Sequence, residues 1–331
     1  MKKILIIQTA FIGDVVLATA MVEKLHLFFP SAYIDFLVRK GNESLLNNNP
    51  FLHEVLIWDK KSNKNKNLFS VIKKVRGNKY DIVINAQRYF STGLLTIFSG
   101  AKQTIGFNKN PLSVLFGKRI NHVFDLQHKL HEVERNNELI KHLTDDTLIM
   151  PALYPSIGDI QFIQEYVNEP FITITPSSIW FTKKYPLDKW NDMIRKIPDS
   201  YNIYLLGGKE NYEECEYILR NVSNKKIHIL AGKLSFLQSS ALMKKAKMNY
   251  VNDSAPMHFA SATNAPVTAV YCSTIPAFGY TPLSDRSFII ETKEQLSCRP
   301  CGIHGRSSCP LGHFRCAYGI ETSQLLVTIN L

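Results

Sequence analysis

Between Tyr250 and Ala262 the chain leaves a short apolar run through Asn252, Asp253 and Ser254. It then enters Pro256 and a small apolar segment, Phe259-Ala260-Ser261-Ala262. This order reads as a buried strand that breaks at a polar turn and re-enters as a helix. Asp253 and Ser254 are N-cap types, and Pro256 suits the first helical turn, where its missing N–H costs nothing. Free amides at a helix start, with the positive end of the macrodipole, attract phosphate. A plain strand–helix connection needs the cap alone. Here a carboxylate (Asp253), a hydroxyl (Ser254) and an imidazole (His258) fall within about one turn, which points to a phosphate or nucleotide site. The competing reading of His258 is a core histidine.

Further polar groups lie where strands end. Asp14 follows Gly13 after the first apolar run, a position where α/β folds place ligand groups and where an Asp also caps helices. Lys183 and Lys184 precede Tyr185-Pro186, just past Pro176-Ser177-Ser178. A lysine is a point charge suited to a leaving diphosphate, although paired lysines on a loop often only face solvent. Ser177 and Ser178 suit phosphate or a nearby backbone cap. Gly207-Gly208 ends another strand with Glu210 behind it; glycines admit a flat base, and a carboxylate can bind ribose hydroxyls. Cys298, Cys301, Cys309 and Cys316 are spaced C-x2-C-x7-C-x6-C with His304 and His313 between them. In a reducing compartment that cluster suits structural zinc, reduced thiols or an opportunistic disulfide, and the spacing leaves these open. Cys215 and Cys272 stand alone.

The elements that must position these groups alternate along the chain. Lys3–Gln8 is an apolar strand, Thr9–Asp14 a turn and Val15–Phe29 a helix stopped by Pro30. Ala32–Arg39 and Val55–Trp58 alternate as strands, Leu68–Val75 is helical, and Tyr80–Asn85 is a buried strand. Residues 121–169 read as mostly helical, followed by a connector near Met150-Pro151 and Pro155. A second series follows: strand Phe171–Thr175, helix Leu187–Ile197, strand Asn202–Leu206, helix Tyr212–Asn221, strand His228–Leu230, helix Phe236–Ala246. Tyr250–Asn252 and Val267–Tyr271 complete that sheet. Such alternation predicts parallel sheets with helices on both faces. The expected organisation is two doubly wound, Rossmann-like domains facing across a cleft, residues 1–155 and 170–331, the second carrying the cysteine-rich tail.

A chain of 331 residues accords with two domains, since single cores rarely grow past about 250–300 residues. The apolar start Met1–Ile7, followed by Ala18-Thr19-Ala20, mimics a signal peptide, but Gln8 and the Gly13-Asp14 pair interrupt it. No 18-residue apolar run is present. A cytoplasmic protein is expected. The net charge of +11 points to anionic partners. Lys60-Lys61 with Lys64 and Lys66 reads as a solvated lysine-rich loop, and no zinc finger, RNA-recognition signature or Arg-rich helix appears, so nucleic acid is not an expected partner. The first strand is followed by Thr9-Ala10-Phe11-Ile12-Gly13-Asp14 in place of G-x-G-x-x-G, which argues against a nicotinamide-dependent oxidoreductase.

Taken in order, several segments resemble the family 9 glycosyltransferases, the bacterial heptosyltransferases of lipopolysaccharide assembly. They are Ile4–Ile7 with Phe11–Thr19, Tyr33–Val38, Asn49-Pro50, Tyr80–Asn85, Lys183–Pro186 with Trp190, Gly207-Gly208, and Val251–His258. The resemblance spans nearly the whole chain and implies the two-domain GT-B fold. It also implies an inverting, metal-independent transfer, with no cofactor, of a sugar such as heptose from a nucleotide-activated donor such as ADP-heptose. The first domain would serve the acceptor and the second the donor. It assigns the base to Asp14 and the diphosphate cation to Lys183. The donor would be held by Ser177, Ser178, Gly207, Gly208, Glu210, Asp253, Ser254, Ala255, Met257 and His258. The acceptor would be a phosphorylated, lipid-linked glycan of the lipopolysaccharide core, met at the cytoplasmic face of the inner membrane. The sequence departs from the family pattern at Ala255, where members usually have Gly, and at Tyr185, where many have Trp. A nucleotide-sugar-binding or regulatory protein with weak turnover on the same fold is the alternative.

Overall fold

The computed structural model describes residues 1–124, 129–223 and 225–330. It divides into two compact units, Met1–Tyr154 and Pro155–Leu331. The first runs β1 (Lys3–Ile7), α1 (Ile12–Phe28), β2 (Tyr33–Arg39), β3 (Leu52–Trp58), α2 (Lys64–Asn78), β4 (Ile82–Asn85), α3 (Phe90–Ile97), β5 (Gln103–Phe107), β6 (Lys118–Ile120) and α4 (Glu132–Ile140). Its six strands are parallel, in the order β3-β2-β1-β4-β5-β6.

The second unit runs α5 (Ile157–Phe162), β7 (Phe171–Thr175), α6 (Leu187–Arg195), β8 (Asn202–Leu205), α7 (Tyr212–Asn221), β9 (Ile227–Ile229), α8 (Phe236–Lys245) and β10 (Asn249–Asn252). It continues with α9 (Ala255–Thr263), β11 (Val267–Tyr271), β12 (Ser287–Glu291), α10 (Arg315–Tyr318) and α11 (Thr322–Leu326). Its sheet is again six parallel strands, β12-β11-β10-β7-β8-β9. The two sheets share one winding: numbered from the first strand of each unit, both run 3-2-1-4-5-6. In the first, β1 and β4 lie side by side at the point where the winding reverses; in the second, β7 and β10 do so. The crevice beyond the C-terminal ends of such a pair is where these sheets bind ligands.

Both faces of these sheets are covered, so the central strands are buried and largely apolar. Ile4–Ile7, Ile34–Val38, Phe171–Thr175 and Val267–Tyr271 are buried along their length. This corrects the alternation expected over Ala32–Arg39, because β2 has no solvent face. α6 shows the helical counterpart: Trp190, Asn191, Met193 and Ile194 are buried on one side while its other residues reach the surface. The ring of Trp190 meets Tyr185 edge-on at 5.0 Å, and both belong to the core of the second unit.

Four elements lie outside the expected series. α3, β5 and β6 occupy residues with no clear periodicity, and β12 rather than β11 closes the second sheet. β6 and β12 are half-exposed edge strands, so their residues carry only a weak apolar signal. The helix after β1 begins at Ile12, which places Asp14 in its first turn rather than in the preceding loop. The stretch 121–169 holds α4 and α5 among short 3-10 turns, and its residues 125–128 lie outside the described residues. No helix among the described residues is long and apolar enough to cross a membrane.

Candidate active site

In the first unit the C-terminal end of β1 is a closely tied polar turn. Lys60 donates to the Thr9 carbonyl (3.0 Å) and hydroxyl (2.7 Å), and Asn42 donates to the Ala10 carbonyl at 3.0 Å. Gln87, past the end of β4, donates to the Gln8 side chain. This turn launches α1, where the Asp14 carboxylate reaches back to accept the Phe11 N–H at 3.2 Å. Asp14 therefore does cap the start of α1, but capping is not its whole character. Burial pushes its pKa up from 3.8 to about 6, and the Glu132 carboxylate at the start of α4 adds to the rise. A carboxylate poised there is half-ionised near pH 6 and retains enough basicity to accept a proton in neutral solution.

Two residues beside Asp14 carry no signal in the sequence. Glu132 is buried and bound to Arg135 (Nε–Oε2 2.7 Å). Lys109, just past β5, stacks over Phe107 at 4.9 Å, and burial, foremost, lowers its pKa to about 8. Neither stands in a local motif. Their proximity to Asp14 comes from the packing of α1 against α4 and from β5, one of the unexpected strands.

The second unit gathers its candidates at the ends of β7 and β10. The Lys183 ammonium lies 2.7 Å from Asp253 Oδ2, with both side chains nearly buried. Thr274, past β11, donates its hydroxyl to the same carboxylate oxygen at 2.6 Å. An ammonium has three N–H donors and Asp253 engages one, so a phosphate can share Lys183 without displacing its partner. Asp253 immediately precedes Ser254, the N-cap of α9; Ala255 and Pro256 open that helix, as expected. The Ser254 hydroxyl does not cap it, donating instead to the Asn252 carbonyl at 3.2 Å. His258 is buried one turn into α9, and Met257 beside it accepts from the Tyr271 hydroxyl at 3.4 Å.

The other expected residues differ in availability. Ser177 donates its hydroxyl to Glu214, which also binds Lys184. Of the two lysines, only Lys183 faces Asp253. Ser178 follows on the same turn and is half-buried. Gly207 and Gly208 follow β8, and a Cβ at Gly208 would run into the Glu210 carboxylate, which folds back over it. Tyr185 and Trp190, landmarks in the sequence, are core residues that anchor the Lys183 turn from beneath: Tyr185 donates its hydroxyl to the Ile320 carbonyl at 3.2 Å.

The cysteine-rich segment is stitched to the same turn. Thr182 and Arg306 exchange contacts (Thr182 N–H to Arg306 carbonyl 3.1 Å; Arg306 N–H to Thr182 hydroxyl 2.8 Å). The Cys301 N–H donates to the Ser273 carbonyl at 2.9 Å, and Arg299 donates to the Thr274 carbonyl at 2.6 Å. Cys298, Cys301, Cys309 and Cys316 are free thiols lining a cavity of about 210 Å³ with His313. Among the described residues no group of three His, Cys, Asp or Glu side chains is arranged to hold a metal ion.

With the geometry of both units in hand, comparison with known proteins decides the family. The sequence profile of Glycosyltransferase family 9 (heptosyltransferase) matches residues 68–307, well over half of the chain. The chain belongs to glycosyltransferase family 9. This family 9 chain is 27% identical over 278 residues to Lipopolysaccharide heptosyltransferase 3 of Escherichia coli, covering 80% of this chain and 82% of the relative. Among solved structures, a family 9 glycosyltransferase from Veillonella parvula matches with a TM-score of 0.86 at 20% identity, over 99% of this chain and 96% of that one. The E. coli ADP-heptose LPS heptosyltransferase II matches with a TM-score of 0.79 at 22% identity, over 100% and 98%. The fold of this glycosyltransferase is therefore GT-B.

Proposed function

We propose that this glycosyltransferase transfers heptose from ADP-heptose, with inversion, to a phosphorylated glycan of the lipopolysaccharide core. The observation that carries the donor half is the Lys183–Asp253 pair, held beside the start of α9 at the reversal point of the second sheet. That is the position in which an α/β sheet offers a cation and free amides to a diphosphate. The relatives named for ADP-heptose and lipopolysaccharide heptosylation support the choice of donor and acceptor.

On this reading Asp14 accepts the proton of the attacking acceptor hydroxyl. The acceptor oxygen forms a bond to the anomeric carbon as the bond from that carbon to the diphosphate oxygen breaks. ADP leaves with an added negative charge, and Lys183 and the α9 amides stabilise it. Asp253 orients Lys183, and Ser254, Ala255, Met257 and His258 bound the inner diphosphate and sugar. Gly207, Gly208 and Glu210 take the nucleoside. Ser178 serves the phosphates, while Ser177 acts through Glu214. Arg39, Arg88 and Lys109 lie at or just past the ends of β2, β4 and β5, on the unit that carries a net +8 of the chain's +11. That excess of cations suits an acceptor bearing phosphates at an anionic membrane surface.

The test is ADP release with purified protein, ADP-heptose and a heptose-deficient core acceptor, set beside UDP- and GDP-sugars. Turnover confined to ADP-heptose is expected. Turnover with another nucleotide sugar and none with ADP-heptose would replace the donor. No turnover together with no nucleotide binding would overturn the reading.

A further inference from the structure

Four turns carry the donor-side candidates of the second unit, and one residue ties three of them, those of Ser177, Lys183 and Asp253. Asn252, the last residue of β10, is fully buried. Its Oδ1 accepts the Tyr185 N–H at 2.8 Å, fixing the turn that carries Lys183. Its Nδ2 donates to the Pro176 carbonyl at 2.8 Å, with the Ser177 and Thr175 carbonyls at 3.3 and 3.5 Å, fixing the turn that carries Ser177 and Ser178. Its own backbone leads directly into Asp253 and accepts the Ser254 hydroxyl. No other residue type supplies this set. An aspartate would turn a second carboxylate oxygen toward three carbonyls, an alanine would leave the Tyr185 N–H unmet in a dry interior, and a glutamine is too long for the space between the turns.

We propose that Asn252 is the positioning residue of the donor site, holding the Lys183 turn and the Ser177 turn in register with Asp253. This rests on the donor reading above. It adds that one amide joins the Lys183 turn to the Ser177 turn, beyond the anchoring that Tyr185 and Trp190 give the first of them. An ammonium aimed at a leaving group must sit within a few tenths of an ångström of its place, and misplacement by about 1 Å costs about 10²-fold in rate. Loss of Asn252 therefore falls on the transferase step out of proportion to its effect on stability.

The same strand supplies the control. Asn249, three residues earlier at the other end of β10, is an equally buried amide. It donates to the Met243 carbonyl at 2.8 Å and the Pro266 carbonyl at 2.7 Å, and it accepts the Thr173 hydroxyl at 2.5 Å. It is as deeply committed, but at the end of the strand away from the donor turns. Asn252→Ala and Asn249→Ala would be compared for melting temperature, ADP affinity by calorimetry, and kcat and KM for ADP-heptose. The expected result is a comparable fall in melting temperature for both. Only Asn252→Ala loses on the order of 10²-fold in kcat/KM, mostly in kcat, while Asn249→Ala stays within about threefold of wild type. If Asn252→Ala shows no cooperative melting, Asn252→Ser, which keeps one acceptor for the Tyr185 N–H, is measured against the same limits. Equal losses in the Asn252 and Asn249 variants, with wild type active, overturn the positioning role alone. A wild type that neither binds ADP nor turns over ADP-heptose overturns the donor reading and this inference together.

Discussion

Asp14 illustrates how one side chain serves opposite ends of the stability–activity balance. Its folded pKa of about 6 lies above the ordinary aspartate value of 3.8, so the folded state holds the proton more tightly than the unfolded chain. The native state is thus favoured by this group below about pH 4, and that advantage is lost as pH rises through about 6. Asp14→Asn, which can still accept the Phe11 N–H, should raise stability at pH 7.5 by roughly 1–2 kcal/mol while lowering turnover by roughly 10²–10⁴-fold. Thermal melts and initial rates on one preparation check both halves; a destabilised variant with intact turnover would reduce Asp14 to a cap. For wild type, kcat/KM should climb with pH to a plateau above about 6, with this limb absent from whatever activity the Asn variant retains. Lys183 offers a sharper contrast, because its neighbour is a built-in reference. Lys183→Ala should cost roughly 10²–10³-fold in turnover and weaken ADP, whereas Lys184→Ala, whose ammonium is spent on Glu214, should cost only a few-fold. Equal losses in steady-state assays would remove the distinction between the two.

The strands and helices that carry these residues are unevenly legible in the sequence. β1, β7 and β11 announce themselves because burial on both faces favours β-branched, largely apolar runs, β10 because Tyr250-Val251 leads into a polar turn, and α9 because Pro256 and its small residues fit a helix packed on a sheet. β6 and β12 are short, half-exposed edges, and α3 begins among Tyr89 and Phe90 without a capping side chain, so local pattern gives them little voice. At the site, Asp14, Lys183, Asp253 and His258 stand in recognisable motifs. Lys109, Glu132 and Thr274 become neighbours of those residues, and Glu214 of Ser177 and Lys184, only through tertiary packing, which no spacing rule encodes. The cysteine-rich segment is an element whose spacing leaves several roles open and whose contacts show what it packs against. Gly305 in that segment has φ +76°, and a Cβ there would sit 2.9 Å from Lys183 Cγ and 3.0 Å from the Thr182 hydroxyl. Gly302 shares φ +76° but has open space around it. Both alanine variants carry about 1–2 kcal/mol of left-handed backbone strain, so their melting temperatures should fall together. Only Gly305→Ala should also weaken ADP binding, as titration calorimetry would report.

Across the whole molecule, charge and topology are distributed differently. Each unit is a six-stranded parallel sheet, yet residues 1–154 carry net +8 and residues 155–331 net +3. If the first unit meets a phosphorylated acceptor, raising ionic strength from about 0.01 M to about 0.15 M shortens the screening length from about 30 to about 8 Å. The kcat/KM for the acceptor should then fall several-fold more than that for ADP-heptose, which on the proposed reading meets the nearly buried Lys183. Equal salt dependence of the two substrates would count against an anionic acceptor. The stitching of Arg306 to Thr182 also sets a timetable. The first sheet is complete once Ile120 has left the ribosome. The Lys183 turn waits for a brace that is made long after it, roughly 10 s later at 5–20 residues per second. A nascent chain therefore carries a folded Asp14 turn well before it carries a braced Lys183 turn, and translation stalled ahead of residue 306 leaves the first without the second.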